Sequence, residues 1–265
     1  MSDLENDGKN WTWEETLIAF DLYSRIPYSK ISEKNAEVIR TAILLKRKPG
    51  AVSKKLFNIA ANDPNQTKKG NSGLQHCSKL DQEIWDRFES DPFEISVDSK
   101  KALSKLSGVS VDEMIKNDDA QIAEVFPYGE EKAVATNARI GQYFFREAVL
   151  SAYDRKCCVT GITEPKLLIA SHIKPWRDSD IKTERTNPRN GLCLNALHDK
   201  AFDQGLITLS TEYKLVLSTR IKDCEMDEET RDWFMSYSGK TISLPKKFMP
   251  SIEFIQYHND VIFMQ

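Results

Sequence analysis

The chain of 265 residues contains no apolar run approaching the roughly 18 residues of a membrane span. With only 11 Gly and 10 Pro it is neither a low-complexity nor a fibrous sequence. It has no Cys-x-x-Cys pair. Its five cysteines, Cys77, Cys157, Cys158, Cys193 and Cys224, are odd in number and include one adjacent pair. That is a poor disulfide framework and fits reduced thiols in a reducing compartment. Met1–Asn10 is polar and acidic, without the basic start and apolar stretch of a secretion signal. The expectation is a soluble, cytoplasmic protein with no membrane partner. No internal repeat is visible.

What is present is a real core: 40% hydrophobic residues beside 29% charged ones. The net charge of −3 speaks against a protein that simply coats nucleic acid, but its distribution matters more than its sum. Lys46, Arg47, Lys48, Lys54, Lys55, Lys68, Lys69 and Lys79 share their stretch with a single acid, Asp63, whereas Asp223–Asp232 is strongly acidic. The positive field is therefore local to the N-terminal part.

Thr12 and Glu15 have the spacing of a capping box, and Leu17, Ile18, Phe20, Leu22 and Tyr23 follow as a helical apolar face that Pro27 stops. A second helix is expected over Asn35–Leu45 with Ala36, Ile39, Ala42 and Ile43 inward. After the Lys48-Pro49-Gly50 turn, a third is expected over Ala51–Ala60 with Val52, Leu56 and Ile59 inward and Lys54, Lys55 and Asn58 outward. Asn62-Asp63-Pro64-Asn65 ends it, and a short fourth helix fits Leu80–Phe88. Short helices with a basic third member outline a helix-turn-helix or Myb-like module; a plain helical bundle with a solvated lysine face fits equally. Ser96–Thr136 reads as a charged linker holding one or two helices, Val111–Ile115 among them, with a turn at Pro127-Tyr128-Gly129.

Beyond it the texture changes. Arg139–Tyr153 carries a helical core stripe through Ile140, Tyr143, Phe144, Ala148, Val149 and Leu150. Cys157-Cys158-Val159-Thr160-Gly161 reads as a strand end and turn. Leu167–Ile173 is a buried strand running into His172, and Asn190–Asn195 begins a second strand or turn. Ala196–Phe202 is a short helix carrying His198, and Leu206–Leu209 with Lys214–Ser218 forms a hairpin. Strand, histidine, loop, asparagine, then a helix with a second histidine is an order with chemical content. Phosphodiester cleavage needs a base to deprotonate water and a cation to stabilise charge on the phosphate. A histidine at a strand end is rigidly placed, and a second on a facing helix can hold a divalent ion. An asparagine between them can pin the loop.

The residues Phe144-Phe145-Arg146, Cys158-Val159-Thr160-Gly161, Ala170-Ser171-His172-Ile173-Lys174-Pro175-Trp176, Asn187–Leu194 and His198–Ile207 together resemble the HNH endonucleases, whose site is a ββα-metal (His-Me) finger. The likeness is nearest to a branch of bacterial restriction-type endonucleases. It implies His172 as general base, Asn190 as the loop-fixing asparagine and His198 as metal ligand, with weaker help from Ser171 or Asp203. Many members carry Asp or His where this chain has Ser171, and a second helix histidine where it has Phe202. That points to a hard, water-rich ion, Mg²⁺ or Mn²⁺, with Zn²⁺ or Ni²⁺ as alternatives. Many relatives also build a zinc knuckle; here Cys158 and Cys193 read as small buried residues. Arg146, Lys174, Arg177 and Arg189 flank the site as phosphate contacts, beside Lys54, Lys55 and Asn58 in the N-terminal part.

The fold class expected is α+β. A helical DNA-binding domain over 1–92 and a connector over 93–135 precede a ββα-metal nuclease domain over 136–265. The function expected is metal-dependent cleavage of double-stranded DNA, by a homodimer if both strands are cut, in restriction of foreign or modified DNA during phage defence. The competing readings are a non-catalytic DNA-binding regulator on a decayed scaffold and a nuclease acting on RNA. The nuclease reading expects the imidazoles of His172 and His198 to face one cation. His258 is given no role.

Overall fold

A computed structural model describes residues 4–67, 78–116 and 132–264. The expected turn at Pro127-Tyr128-Gly129, and Lys68, Lys69 and Cys77, lie outside the described residues. Helix α1 (Trp13–Arg25) starts at the expected capping box, in which Thr12 accepts from the Glu15 amide and Glu15 accepts from the Thr12 amide. Asn35 caps α2 (Ala36–Leu44), and Pro49 opens α3 (Pro49–Ala60) at a position where its missing N–H costs nothing. A single turn, α4 (Pro64–Thr67), leads towards α5 (Lys79–Ser90), which Ser78 and Asp81 cap reciprocally.

The inward faces differ from expectation in two places. On α2, Val38, Thr41 and Ala42 are buried, as is Leu45 beyond its end, while Ile39 and Ile43 are exposed. The helix is rotated about one residue from the anticipated phase, because its neighbours α1 and α3 meet the Val38–Ala42 stripe. On α3, Val52, Leu56 and Ile59 are inward as expected, Lys54 is exposed and Asn58 half-buried, but Lys55 is buried. Its ammonium pairs with the buried Asp81 carboxylate. A buried charge needs such a partner, so this lysine serves the core and not the solvent.

The stretch read as a linker begins instead with a sixteen-residue helix, α6 (Pro92–Ser107), capped by Asp91 and ended by left-handed Gly108 at φ 71°. Its periodicity is hidden in the sequence because its inward face is partly polar: Ser96, Ser99 and Lys100 are buried beside Ile95 and Val97. Lys100 pairs at 3.2 Å with the buried Asp21 of α1, which Arg25 also holds at 2.8 Å. Helix α7 (Val111–Lys116) covers the predicted Val111–Ile115.

Helix α8 (Lys132–Ala152) runs through the middle of the molecule, against α1 and α6 on one side and the strands on the other. Strands β1 (Leu168–His172) and β2 (Gly191–Asn195) pair antiparallel, Leu168 opposite Asn195 and His172 opposite Gly191. Helix α9 (Ala196–Asp203) follows β2 directly, capped by Asn195, and packs on both strands. This is a ββα unit. The predicted hairpin is β3 (Ile207–Leu209) with β4 (Leu215–Leu217). Cys157–Thr160 forms a turn without a strand, and Cys157, Cys158 and Cys193 are buried free thiols. Short helices α10 (Thr219–Asp223), α11 (Glu228–Met235) and α12 (Ile252–Tyr257) complete the chain.

One aromatic hub joins the early and late parts of the sequence. Phe20 of α1 lies 5.1 Å from Phe88 and 6.4 Å from Phe144, and Trp85 stacks on Phe248 at 6.1 Å. Beside it, the buried Lys247 ammonium donates to the carbonyls of Tyr23, Ser24 and Ile26, which are the orphan acceptors at the end of α1. Among the described residues no helix is long and apolar enough to cross a membrane.

Candidate active site

An open cleft of about 900 Å³ lies between α8, β1, α9 and the segment 261–264. Its chemistry sits on the ββα unit: Ser171, His172, Asp199 and Asp203, with Arg146 and Arg177 at its edges.

His172 ends β1 and is held on every side. Its ring stacks on Phe145 of α8, with centroids 3.8 Å apart and planes within 10°, and meets the edge of Trp176 at 5.5 Å. Its Nε2 lies 2.9 Å from the Arg185 carbonyl oxygen. A carbonyl only accepts, so Nε2 carries the proton and the lone pair belongs to Nδ1. Burial is the largest influence on the ring and pushes its pKa down to about 4. The carbonyl bond opposes that shift, and the Arg185 cation adds to it. The imidazole is thus neutral at physiological pH, with one nitrogen available to accept a proton.

The platform under His172 depends on a glycine. A Cβ at Gly191 would lie 2.3 Å from Val149 Cγ2 and 3.0 Å from Phe145 Cζ. Only a residue without a side chain lets β2 approach α8 closely enough to bring Phe145 under the ring.

Asn190 is fully buried and clamps the loop that follows His172. Its Oδ1 accepts from the Lys174 amide at 2.8 Å. Its Nδ2 donates to the Lys174 carbonyl at 3.1 Å, to Ser179 Oγ at 3.2 Å and to the Glu184 carbonyl at 3.4 Å. The backbone on both sides of the loop is thereby pinned to one side chain. Arg185, whose carbonyl orients His172, is fixed in turn by a bond from its Nε to the Ser179 carbonyl at 2.9 Å.

Of the two α9 residues expected at the site, Asp203 lines the cleft and His198 does not. His198 is buried, and it is not among the residues lining the cleft. It sits in an aromatic box, 5.0 Å from Trp233, 5.9 Å from Phe234 and 5.7 Å from Tyr237, with Asn195 beside its Nδ1. Burial pushes its pKa down to about 4. The structure therefore does not bring the two imidazoles together across the cleft. The cause is helical phase: His198 and Phe202 are four residues apart and share the core face, so Asp199 and Asp203, also four apart, take the cleft face.

The two carboxyls are both pushed upward. Asp199 is raised by burial, with the Ser171 hydroxyl and Lys200 acting against it. Asp203, open to the cleft but flanked by protein, is raised to about 6 by burial and by the Asp199 charge, with Lys200 opposing. The Ser171 hydroxyl is buried without a well-formed hydrogen bond. Two neighbouring carboxyls with the Ser171 hydroxyl beside them suit a hard cation, which would relieve the carboxylates' repulsion. Among the described residues no three His, Cys, Asp or Glu side chains converge, so such an ion would keep several waters.

The predicted phosphate contacts divide in the same way. Arg146 and Arg177 line the cleft, Arg177 with its side chain 80% exposed. Lys174 pairs with Glu184 at 2.6 Å, and Arg189 holds both Glu89 oxygens at 2.6 Å, tying the base of the β1–β2 loop to α5. Part of the N-terminal positive field is neutralised within the fold: Arg47 is buried against Glu15, Lys48 pairs with Asp7 and Lys46 with Glu5.

Residues 157–210 match the HNH endonuclease family. This segment is similar to an HNH endonuclease domain. The match spans β1, the clamped loop, β2, α9 and β3, which is the whole chemical wall of the cleft apart from the α8 residues that buttress it. No curated protein matches the chain.

Proposed function

We propose that the protein is a metal-dependent endonuclease that hydrolyses DNA phosphodiester bonds in the cleft of its HNH domain. The observation that carries the reading is the pairing of a neutral, singly protonated His172 with two acidic side chains across one open cleft. In this reading His172 Nδ1 takes a proton from water as the water attacks phosphorus. Nε2–H keeps its bond to the Arg185 carbonyl throughout, so the ring does not turn as it becomes charged. Phe145 and Trp176 hold the ring in place, and Asn190 holds the loop that supplies the carbonyl. Asp199 and Asp203, with Ser171 beside them, would hold a divalent ion, Mg²⁺ or Mn²⁺ from the all-oxygen donor set. When bound, such an ion supplies charge stabilisation to the phosphate and the leaving oxygen. Arg146 and Arg177 grip the neighbouring backbone phosphates.

His198 acts in this reading as a core residue that fixes the rotation of α9. Among the described members of the basic N-terminal set, Lys54 of α3 is exposed and would offer a second DNA contact. Restriction of foreign or modified DNA is the biological role that the resemblance suggests, and phage plaque counts with and without the gene would test it.

The direct test is plasmid DNA incubated with Mg²⁺ or Mn²⁺, with and without a chelator. Wild-type protein is expected to nick or linearise the plasmid only with free divalent ion. His172→Ala protein that cuts as fast as wild type would refute the mechanism.

A further inference from the structure

The segment His258–Met264 borders the cleft and takes no part in the chemistry above. It opens with a π-helical turn, His258–Ile262, a geometry often found at functional sites. Its fastening is polar. The buried His258 ring stacks on Phe202 at 3.8 Å, and its Nε2 donates to the Phe202 carbonyl at 3.1 Å. The Thr208 hydroxyl meets His258 Nδ1 at 2.8 Å, Asn259 Nδ2 donates to the Leu209 carbonyl at 3.1 Å, and the Met264 amide donates to the Gly205 carbonyl at 2.9 Å. Gly205 has φ 67°, and a Cβ there would sit 2.1 Å from the Ile262 carbonyl oxygen. The strap thus lies tight against the turn that ends α9, two residues from Asp203.

Its cleft-facing apolar side chains stay open to solvent, and Met264 Sδ also accepts from Arg220 Nη1 at 3.0 Å. Val261 is 58% exposed and Met264 40% exposed, and together with Ile262 they line the cleft. Of the two ionisable groups among these residues, His258 is buried and Asp260 is exposed, and neither lines the cleft. The cleft therefore has two chemistries. One wall carries His172, Ser171, Asp199, Asp203 and Arg146, and the strap is apolar.

Resting on the nuclease reading above, we propose that Val261, Ile262 and Met264 form the wall against which the sugar and base beside the scissile phosphate pack. A nucleotide divides as the cleft does. Its phosphate is charged and needs hydrogen-bond donors or a cation, while its sugar C–H groups and base faces gain from burial against carbon. A phosphate turned toward the strap would lose hydration with nothing in return. Methionine is flexible and polarizable, so this wall accepts different bases. It supplies affinity and orientation without reading sequence.

The test is fluorescence anisotropy of a labelled duplex with the full chain, in chelator so that nothing is cut. Val261→Ser/Met264→Ser is compared with wild type over a salt series, with folding checked by thermal unfolding. The proposal expects Kd to rise about tenfold, the effect of two lost apolar contacts, with an unchanged slope of log Kd against log salt. An unchanged Kd, or a weakened Kd with a shallower slope, overturns the wall and leaves the nuclease reading standing. If the double substitution unsettles the fold, Val261→Ser alone is expected to move Kd in the same direction, and no movement overturns the proposal. Wild-type protein that binds no duplex at any salt overturns both the wall and the reading beneath it.

Discussion

Replacing Gly191 by alanine adds one methyl group at the tightest point between α8 and β2. The backbone there is extended, with φ −135° and ψ 146°, so alanine meets no torsional objection and the cost is purely steric. The new Cβ would stand 2.3 Å from Val149 Cγ2, more than an ångström inside the usual carbon contact of about 3.5–4.0 Å. Val149 is fully buried and β-branched, so it has no spare rotamer. The helix must then move relative to the strand and carry Phe145 out from under His172. Overpacking of this kind costs about 1–3 kcal/mol, and the size of the overlap places this substitution near the upper end. Urea unfolding of wild type, Gly191→Ala, Val149→Ala and the double variant measures it. Val149→Ala removes the offending methyl, so the alanine at 191 is expected to cost less than about 1 kcal/mol in that background. An equal cost in both backgrounds would refute the close-packing explanation. DNA cleavage is expected to fall more than tenfold in the single variant at temperatures where it remains folded.

Asp203 must be ionised to help hold a cation, and its carboxyl is raised to about 6. Cleavage is therefore expected to fall as pH drops through about 6, and the limb to shift lower as Mg²⁺ is raised, since ion and proton compete; pH–rate profiles at two Mg²⁺ concentrations check both. Asn190→Ala removes four buried polar contacts that pin the loop, and is expected to lower stability by about 2–4 kcal/mol and cleavage by at least tenfold; denaturant midpoints and plasmid assays report these separately. His172, His198 and His258 are each pushed down to about 4 by burial. Between pH 6.5 and 4 the unfolded chain binds protons that the folded chain does not, so these groups make stability fall as pH falls across that window. His258→Gln is expected to shallow the dependence in urea titrations at several pH values, and an unchanged slope would count against burial as the cause.

Much of this was legible in the sequence wherever local signals decided the outcome. The Thr12–Glu15 box, the β1 and β2 runs, the α9 helix and the β3–β4 hairpin follow from capping chemistry and apolar spacing, and all stand where they were expected. Asn190 could be read as a loop pin from its place between the two histidines and from the resemblance to the HNH endonucleases. The misreadings came where partners distant in sequence decide the outcome. The start and length of α6, inside a stretch expected to hold one or two helices, were hidden because Lys100 and its serines face inward, and Lys100 pairs there with Asp21, far away in the chain. Lys55 looked solvated because nothing local announces Asp81. At α9 the placement of the side chains could have been read from the sequence. Phe202 marks the apolar face of that helix, His198 shares it by four-residue spacing, and the opposite phase holds Asp199 and Asp203. The motif drew attention to a histidine, and the helical phase assigns the cleft to the aspartates.

In the proposed mechanism Asp199 and Asp203, and not His198, hold the cation. Electron paramagnetic resonance titration of Mn²⁺ into wild type, Asp199→Asn/Asp203→Asn and His198→Gln tests it without reference to cutting. The account predicts that wild type and His198→Gln bind Mn²⁺ with affinities within about threefold, and that the aspartate variant loses at least tenfold. Loss of binding in His198→Gln with retention in the aspartate variant would contradict it.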